Sequence, residues 1–164
     1  MGPLFANVAK GVFFFIEQFR LNFASIIGMG RIMGIDYGLK RTGLAVTDPL
    51  CIIVNALDTI PTVDIFDYLK NYINENAVDK VVLGYPETKS SQLNEMGQHV
   101  LNFKKTLETS FPTIEVALFD ERKTSIQAVE IMLKSGMRKS QRRDKSMIDK
   151  LSAVLILQKY LGHI

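Results

Sequence analysis

Four carboxylates stand at the ends of apolar runs, where a folded chain gathers side chains at one edge. Asp36 follows Ile32-Met33-Gly34-Ile35 and precedes Tyr37-Gly38, which reads as a strand running into a turn. Asp120 and Glu121 close the strand-like run Ile114 to Phe119, just ahead of a helical pattern, and Asp149 falls in the first turn of the last predicted helix. Carboxylates crowded together repel one another, so a cluster of them is stable only with cations. Mg²⁺ suits such a cluster, because it takes oxygen ligands and completes its octahedron with water and substrate phosphate; Mn²⁺ accepts the same donors. Ions held this way activate a water and stabilise the leaving oxygen of a phosphodiester. Taken singly, each acid also has a simpler reading. Asp36 suits a turn, Asp120 and Glu121 complement the positive end of the helix that follows, and Ser146 with an acid three residues later has the spacing of a capping box.

The basic residues decide between these readings only through their placement. Arg138, Lys139, Arg142, Arg143 and Lys145, against the single acid Asp144, form a polar loop immediately before the helix that carries Asp149. Lys40 and Arg41, in the turn after Asp36, extend the same positive edge. Such a run also suits a solvated face, but beside a metal cluster it neutralises phosphates and holds a nucleic-acid strand. No ladder of aromatic residues accompanies it, so recognition by shape and phosphates is expected. The net charge of +3 matters because it is clustered in this way. One cysteine, Cys51, excludes an intramolecular disulfide framework and a cysteine-based zinc site, and two histidines, His99 and His163, argue against a histidine-rich one. Glu87, after the run Val81 to Gly84, reads first as an exposed loop acid, and as a further site acid if strand four lies beside strand one as expected.

The elements that must position these residues follow from periodicity. Strands are expected at Ile32–Ile35, Thr42–Thr47, Ile52–Ile60, Lys80–Gly84 and Ile114–Phe119. Phe66, Leu69 and Ile73 mark one helical face; Leu93, Met96, Val100, Phe103 and Leu107 mark another. A third helix runs from about Thr124 to Ser135, stopped by Gly136, and a last one from Ser146 to Leu161 with Ile148, Leu151 and Leu155 inward. The order β-β-β-α-β-α-β-α-α predicts an α/β fold, a mixed sheet with helices on both faces. The acids meet if strands one and five are neighbours. A chain of 164 residues with 47% apolar content buries the core of one domain, assigned to 29–164. Residues 1–28 read as an apolar N-terminal extension, expected to be helical. Neither of its apolar runs reaches the roughly 20 residues of a membrane span, and a secretory signal fits poorly.

Four segments resemble the YqgF family, also called RuvX. They are Gly34-Ile35-Asp36-Tyr37-Gly38 with Arg41-Thr42-Gly43-Leu44-Ala45 and Asp48; Val82-Leu83-Gly84-Tyr85-Pro86; Asp120-Glu121-Arg122 with Thr124-Ser125 and Ala128; and Ile148-Asp149 with Ala153 and Leu157. The resemblance covers Met29 to Leu161. It implies an RNase H-like fold and a metal-dependent nuclease, a hydrolase acting on ester bonds with Mg²⁺ or Mn²⁺. Asp36, Glu121 and Asp149 match the family's proposed acidic triad, with Asp120 beside them as a further metal ligand, and Arg122 joins the phosphate-binding candidates. The implied task is maturation of the 5′ end of pre-16S rRNA in the cytoplasm, on a ribosomal precursor particle, by a monomer or homodimer. Two alternatives stay open: a resolvase of four-way DNA junctions, and a non-catalytic RNA-binding assembly factor.

Overall fold

The computed structural model describes residues 30–86, 95–120, 124–139 and 143–164. The extension 1–28, Glu87, Glu121, Arg122 and Arg142 lie outside the described residues.

Strands β1 (Arg31–Asp36), β2 (Arg41–Thr47) and β3 (Val54–Pro61) form an antiparallel meander. A short 3₁₀ turn leads into α1 (Ile65–Glu75), followed by β4 (Val78–Tyr85), α2 (Glu95–Ser110) and β5 (Glu115–Asp120). Two helices complete the described order, α3 (Thr124–Lys134) and α4 (Lys145–Tyr160). The sheet order is β3-β2-β1-β4-β5, with β4 parallel to both of its neighbours. Parallel pairing demands crossover connections, which α1 and α2 supply. The expected mixed sheet with helices on both faces is what forms. Strand four lies beside strand one as expected, and the condition for the acids to meet directly is not fulfilled, because β4 separates β1 from β5.

Alternation along the central strands divides the core. Met33, Ile35, Val81 and Leu83 pack with Ile65 and Leu69 of α1 and Val100, Phe103 and Leu107 of α2. The intervening residues face the other way, where Ala45 and Val82 pack with Ala153, Ile156 and Leu157 of α4. Helix α3 rests on α4. Gly136, at φ 72°, ends α3 with bonds from the Gly136 N–H to Leu133 O and from the Met137 N–H to Met132 O, the paired closure a left-handed glycine permits.

Two local boundaries shift for identifiable reasons. The third strand begins at Val54 rather than Ile52, because the Asp48 carboxylate accepts the N–H groups of Leu50, Ile52 and Ile53 at 3.3, 2.8 and 2.7 Å and folds that stretch into a loop. The Ile53 amide foremost, with those of Ile52 and Leu50, holds Asp48 below the usual carboxylate range against an opposing desolvation. In α4 the capping residue is Asp144, whose carboxylate accepts the Ser146 N–H at 2.9 Å. Ser146 is therefore inside the helix, the capping box that its spacing to Asp149 offered as the simpler reading does not form, and Asp149 lies in the second turn. The deep contacts of α4 come from Ser152, Ala153, Leu155, Ile156 and Leu157, whereas Ile148 and Leu151 are half-buried.

Candidate active site

Asp36 is the last residue of β1 and pairs across the sheet with Gly43 of β2. Directly opposed residues share a face, and Asp36 is in phase with Gly34. Both glycines lie under α4. A Cβ on Gly43 would stand 2.1 Å from the Asp149 carbonyl oxygen and 2.4 Å from its carbon; one on Gly34 would stand 2.9 Å from Ala153 O and 3.0 Å from Leu157 Cβ. Asp149, Ala153 and Leu157 follow one another at four-residue spacing, so they form the stripe of α4 laid on the sheet. The absent side chains at Gly34 and Gly43 let that stripe descend onto the backbone. Close docking brings Asp149 over the position facing Asp36, and both acids are half-buried.

The β2–β3 hairpin fixes the start of α4 by three further contacts. Arg41 Nε donates to Asp149 Oδ2 at 3.0 Å. Thr59 Oγ1 donates to the Ser146 carbonyl at 2.9 Å, and Lys150 Nζ pairs with Asp58 Oδ1 at 3.0 Å. Burial pushes Asp58 up, but the Lys150 ammonium and the Thr59 N–H outweigh it and hold the carboxyl below its usual range. The turn joining Asp36 to Arg41 is braced as well. Thr62 Oγ1 donates to Gly38 O at 2.6 Å, which leaves Thr42 Oγ1 to donate to Thr62 Oγ1 at 3.0 Å. A Cβ on Gly38 would meet Arg41 O at 2.5 Å, so the turn closes only around glycine. Arg41 itself is the first residue of β2 rather than part of the turn.

The other expected residues fall as follows. Asp120 ends β5 opposite Tyr85, in phase with Val116 and Leu118. This phase directs it to the face of α1 and α2, opposite to the face of Asp36, with β4 between their strands. Lys40, Arg138, Lys139, Arg143 and Lys145 are exposed. Lys145 precedes Asp149 by one helical turn and lies on the same flank of α4. Cys51 sits at the opposite edge of the sheet, beside Thr47, and His99 lies on α2 across the sheet from α4, lining an open hollow of about 290 Å³ with Leu39, Glu95 and Met96. Among the described residues no three His, Cys, Asp or Glu side chains converge as a metal cage. The structure places Asp36 and the Asp149 turn of α4 on one face, either side of Gly43, with Arg41 bonded to Asp149 and no described histidine or cysteine beside them. That oxygen donor set suits Mg²⁺ or Mn²⁺.

Sequence reasoning did not find Gly34 and Gly43 as positioning residues, nor the partnership of Arg41 with Asp149. The available signal was a glycine inside each of two strands, which marks a close backbone approach.

The RuvX family model, described as "Holliday junction resolvase", matches residues 30–163. A relative from Porphyromonas gingivalis named "Putative pre-16S rRNA nuclease" is 46% identical over 135 residues, which span 82% of this chain and 98% of the relative. One of the same name from Flavobacterium johnsoniae is 44% identical over 134 residues, spanning 82% of this chain and 97% of the relative. Among solved structures, T. thermophilus RuvC in complex with Holliday junction substrate is similar, with a TM-score of 0.50 at 18% identity, covering 81% of this chain and 96% of RuvC. That likeness shows a shared RNase H-like fold. With a family model across residues 30–163 and relatives matched over nearly their whole length, the chain belongs to the RuvX (YqgF) family.

Proposed function

We propose that this protein is a metal-dependent nuclease that trims the 5′ end of pre-16S rRNA in the cytoplasm. The observation that carries the proposal is the apposition of Asp36 and Asp149 at one edge of the sheet, held by the Gly43 contact. In this reading Asp36 and Asp149, joined by Glu121, supply oxygen ligands, and Asp120 stands behind them at the end of β5. Mg²⁺ or Mn²⁺, when bound there, supplies activation of the attacking water and neutralisation of the leaving oxygen. Lys40, Arg41, Arg143 and Lys145 hold the phosphates of the strand, with Arg138 and Lys139 further along the same basic segment. The names of the relatives at 46% and 44% identity support the ribosomal substrate. No helix among the described residues is long and apolar enough to cross a membrane.

The test is cleavage of labelled precursor rRNA by the wild type and by Asp36→Asn, with and without Mg²⁺. Loss of cleavage in the folded variant and in the absence of metal is expected; undiminished cleavage by pure Asp36→Asn overturns the assignment. The description of the matching family favours a second reading, resolution of four-way DNA junctions. The same two proteins assayed on a junction separate the readings, since phosphate contacts do not distinguish RNA from DNA.

A further inference from the structure

Arg41 is held at both ends. Its main chain pairs with Pro61 in the sheet, and the bond from the Thr62 N–H to Lys40 O secures the preceding residue. Its side chain is fixed through Nε on Asp149 Oδ2, at 3.0 Å. A guanidinium carries N–H donors on Nε and on both terminal nitrogens in one plane, so this contact uses the inner corner of the fork and not its outer edge. The side chain is 39% exposed and that of Asp149 25% exposed, so the pair lies at the surface of the site. Arg41 is in phase with Gly43 and Ala45, on the face of Asp36. Lys40 before it and Lys145 on α4 add positive charge to the same edge.

We propose that Arg41 couples Asp149 to the bound strand, holding the carboxylate through Nε while its terminal nitrogens donate to a phosphate oxygen of the nucleic acid. This rests on the reading of the Asp36–Asp149 edge as a nucleic-acid site. The coupling is specific to arginine. A lysine ammonium is a single point of charge, whereas the planar fork engages two anions from two edges at a fixed angle. Asp149 thus acts twice, once as a candidate metal ligand and once as the anchor that aims Arg41. Arg41 is a binding and positioning residue in this scheme and takes no proton.

The test is a double-mutant cycle on binding, with no cleavage involved. Labelled single-stranded RNA and a four-way DNA junction are titrated in EDTA over a range of salt against wild type, Arg41→Gln, Asp149→Asn and the double variant, with Arg41→Lys alongside. Thermal melts establish that each variant is folded. Arg41→Gln is expected to weaken binding about tenfold, the worth of one charge-assisted bond, and to lower the salt slope by about one. In the Asp149→Asn background the same change is expected to cost less than half as many fold, because the anchor is already gone. Arg41→Lys keeps the salt slope and loses the coupling. An unchanged slope in Arg41→Gln, or an equal loss in both backgrounds, overturns the proposal while leaving the nuclease reading intact. A wild type that binds neither nucleic acid overturns that reading, and the proposal falls with it.

Discussion

Replacing Gly43 with alanine is expected to stabilise nothing and to displace a candidate ligand. At an ordinary strand position, Gly→Ala removes freedom from the unfolded chain and raises stability by about 0.4–1 kcal/mol. At Gly43 the added Cβ would stand 2.1 Å from a backbone oxygen of α4, and ordinary van der Waals contact begins at 3.4 Å, so the helix must retreat by more than 1 Å. The helix keeps its close approach over Gly34, where the position of the absent Cβ lies only 2.9 Å from Ala153 O and no atom is added. It must tilt at its N-terminal end, which strains the Thr59–Ser146 bond and the Arg41–Asp149 pair. Overpacking of this kind costs about 1–3 kcal/mol, and a lost hydrogen bond adds about 1 kcal/mol. Urea unfolding is therefore expected to show Gly43→Ala destabilised by about 2–4 kcal/mol, within the roughly 5–15 kcal/mol that keeps a domain folded. A misplacement near 1 Å at a reacting centre lowers rate by about 100-fold, so cleavage of precursor rRNA is expected to fall on that order in protein that remains folded. Native stability together with cleavage within about twofold of wild type would refute the reasoning, for it would mean that α4 does not rest on Gly43.

Two further outcomes test the same framework. Asp144→Ala removes the observed cap of α4 and is expected to lower stability by about 1 kcal/mol in denaturant titration; Ser146→Ala, measured beside it, should cost less, since Ser146 does not cap. Asp48, held below its ordinary value of 3.8 by backbone donors, contributes stability that is present above that value and lost as pH falls through its lower folded value. Asp48→Asn is accordingly expected to be less stable than wild type at pH 7, with the gap closing in melts taken below pH 4; a gap that persists unchanged at low pH would show that the charge of Asp48 is not what the loop uses.

Periodicity made the element order legible, because each helix and strand states its own period. Val81 to Leu83 reads as a strand buried on both faces without reference to any other residue, and Phe103 and Leu107 mark the buried face of α2. What periodicity does not state is which strands touch. The insertion of β4 between β1 and β5 depends on the crossovers, so the neighbourhood imagined for Asp36 and Asp120 was not available from the chain. Phase matters as much as order. A strand side chain changes face with every residue, and β5 runs one residue past the expected end, so that Asp120 becomes its final paired position, on the face away from Asp36. The choice of Asp144 over Ser146 as cap has the same character. Both residue types cap well, and in the structure it is Asp144 that stands outside the first turn and accepts the Ser146 N–H. Asp149 then has no capping role, which removes the strongest of its simpler readings.

The two acids belong to the central strand and the last helix, yet their relation is set by the edge hairpin, which contributes neither. Arg41, Gly43, Asp58 and Thr59 all lie on β2 or β3, and all touch Ser146, Asp149 or Lys150. A helix packed only by Ala153, Ile156 and Leu157 would be secured near its middle and free to pivot at the end that carries Asp149. Polar contacts at that end remove the pivot, and because they are directional they fix rotation as well as distance. The hairpin therefore converts an apolar docking, which tolerates small shifts, into a defined position for the end of α4 that carries Asp149. That is the condition under which a pair of acids on separate elements can serve a single ion, and the three side-chain contacts that join α4 to the hairpin all fall in its first two turns.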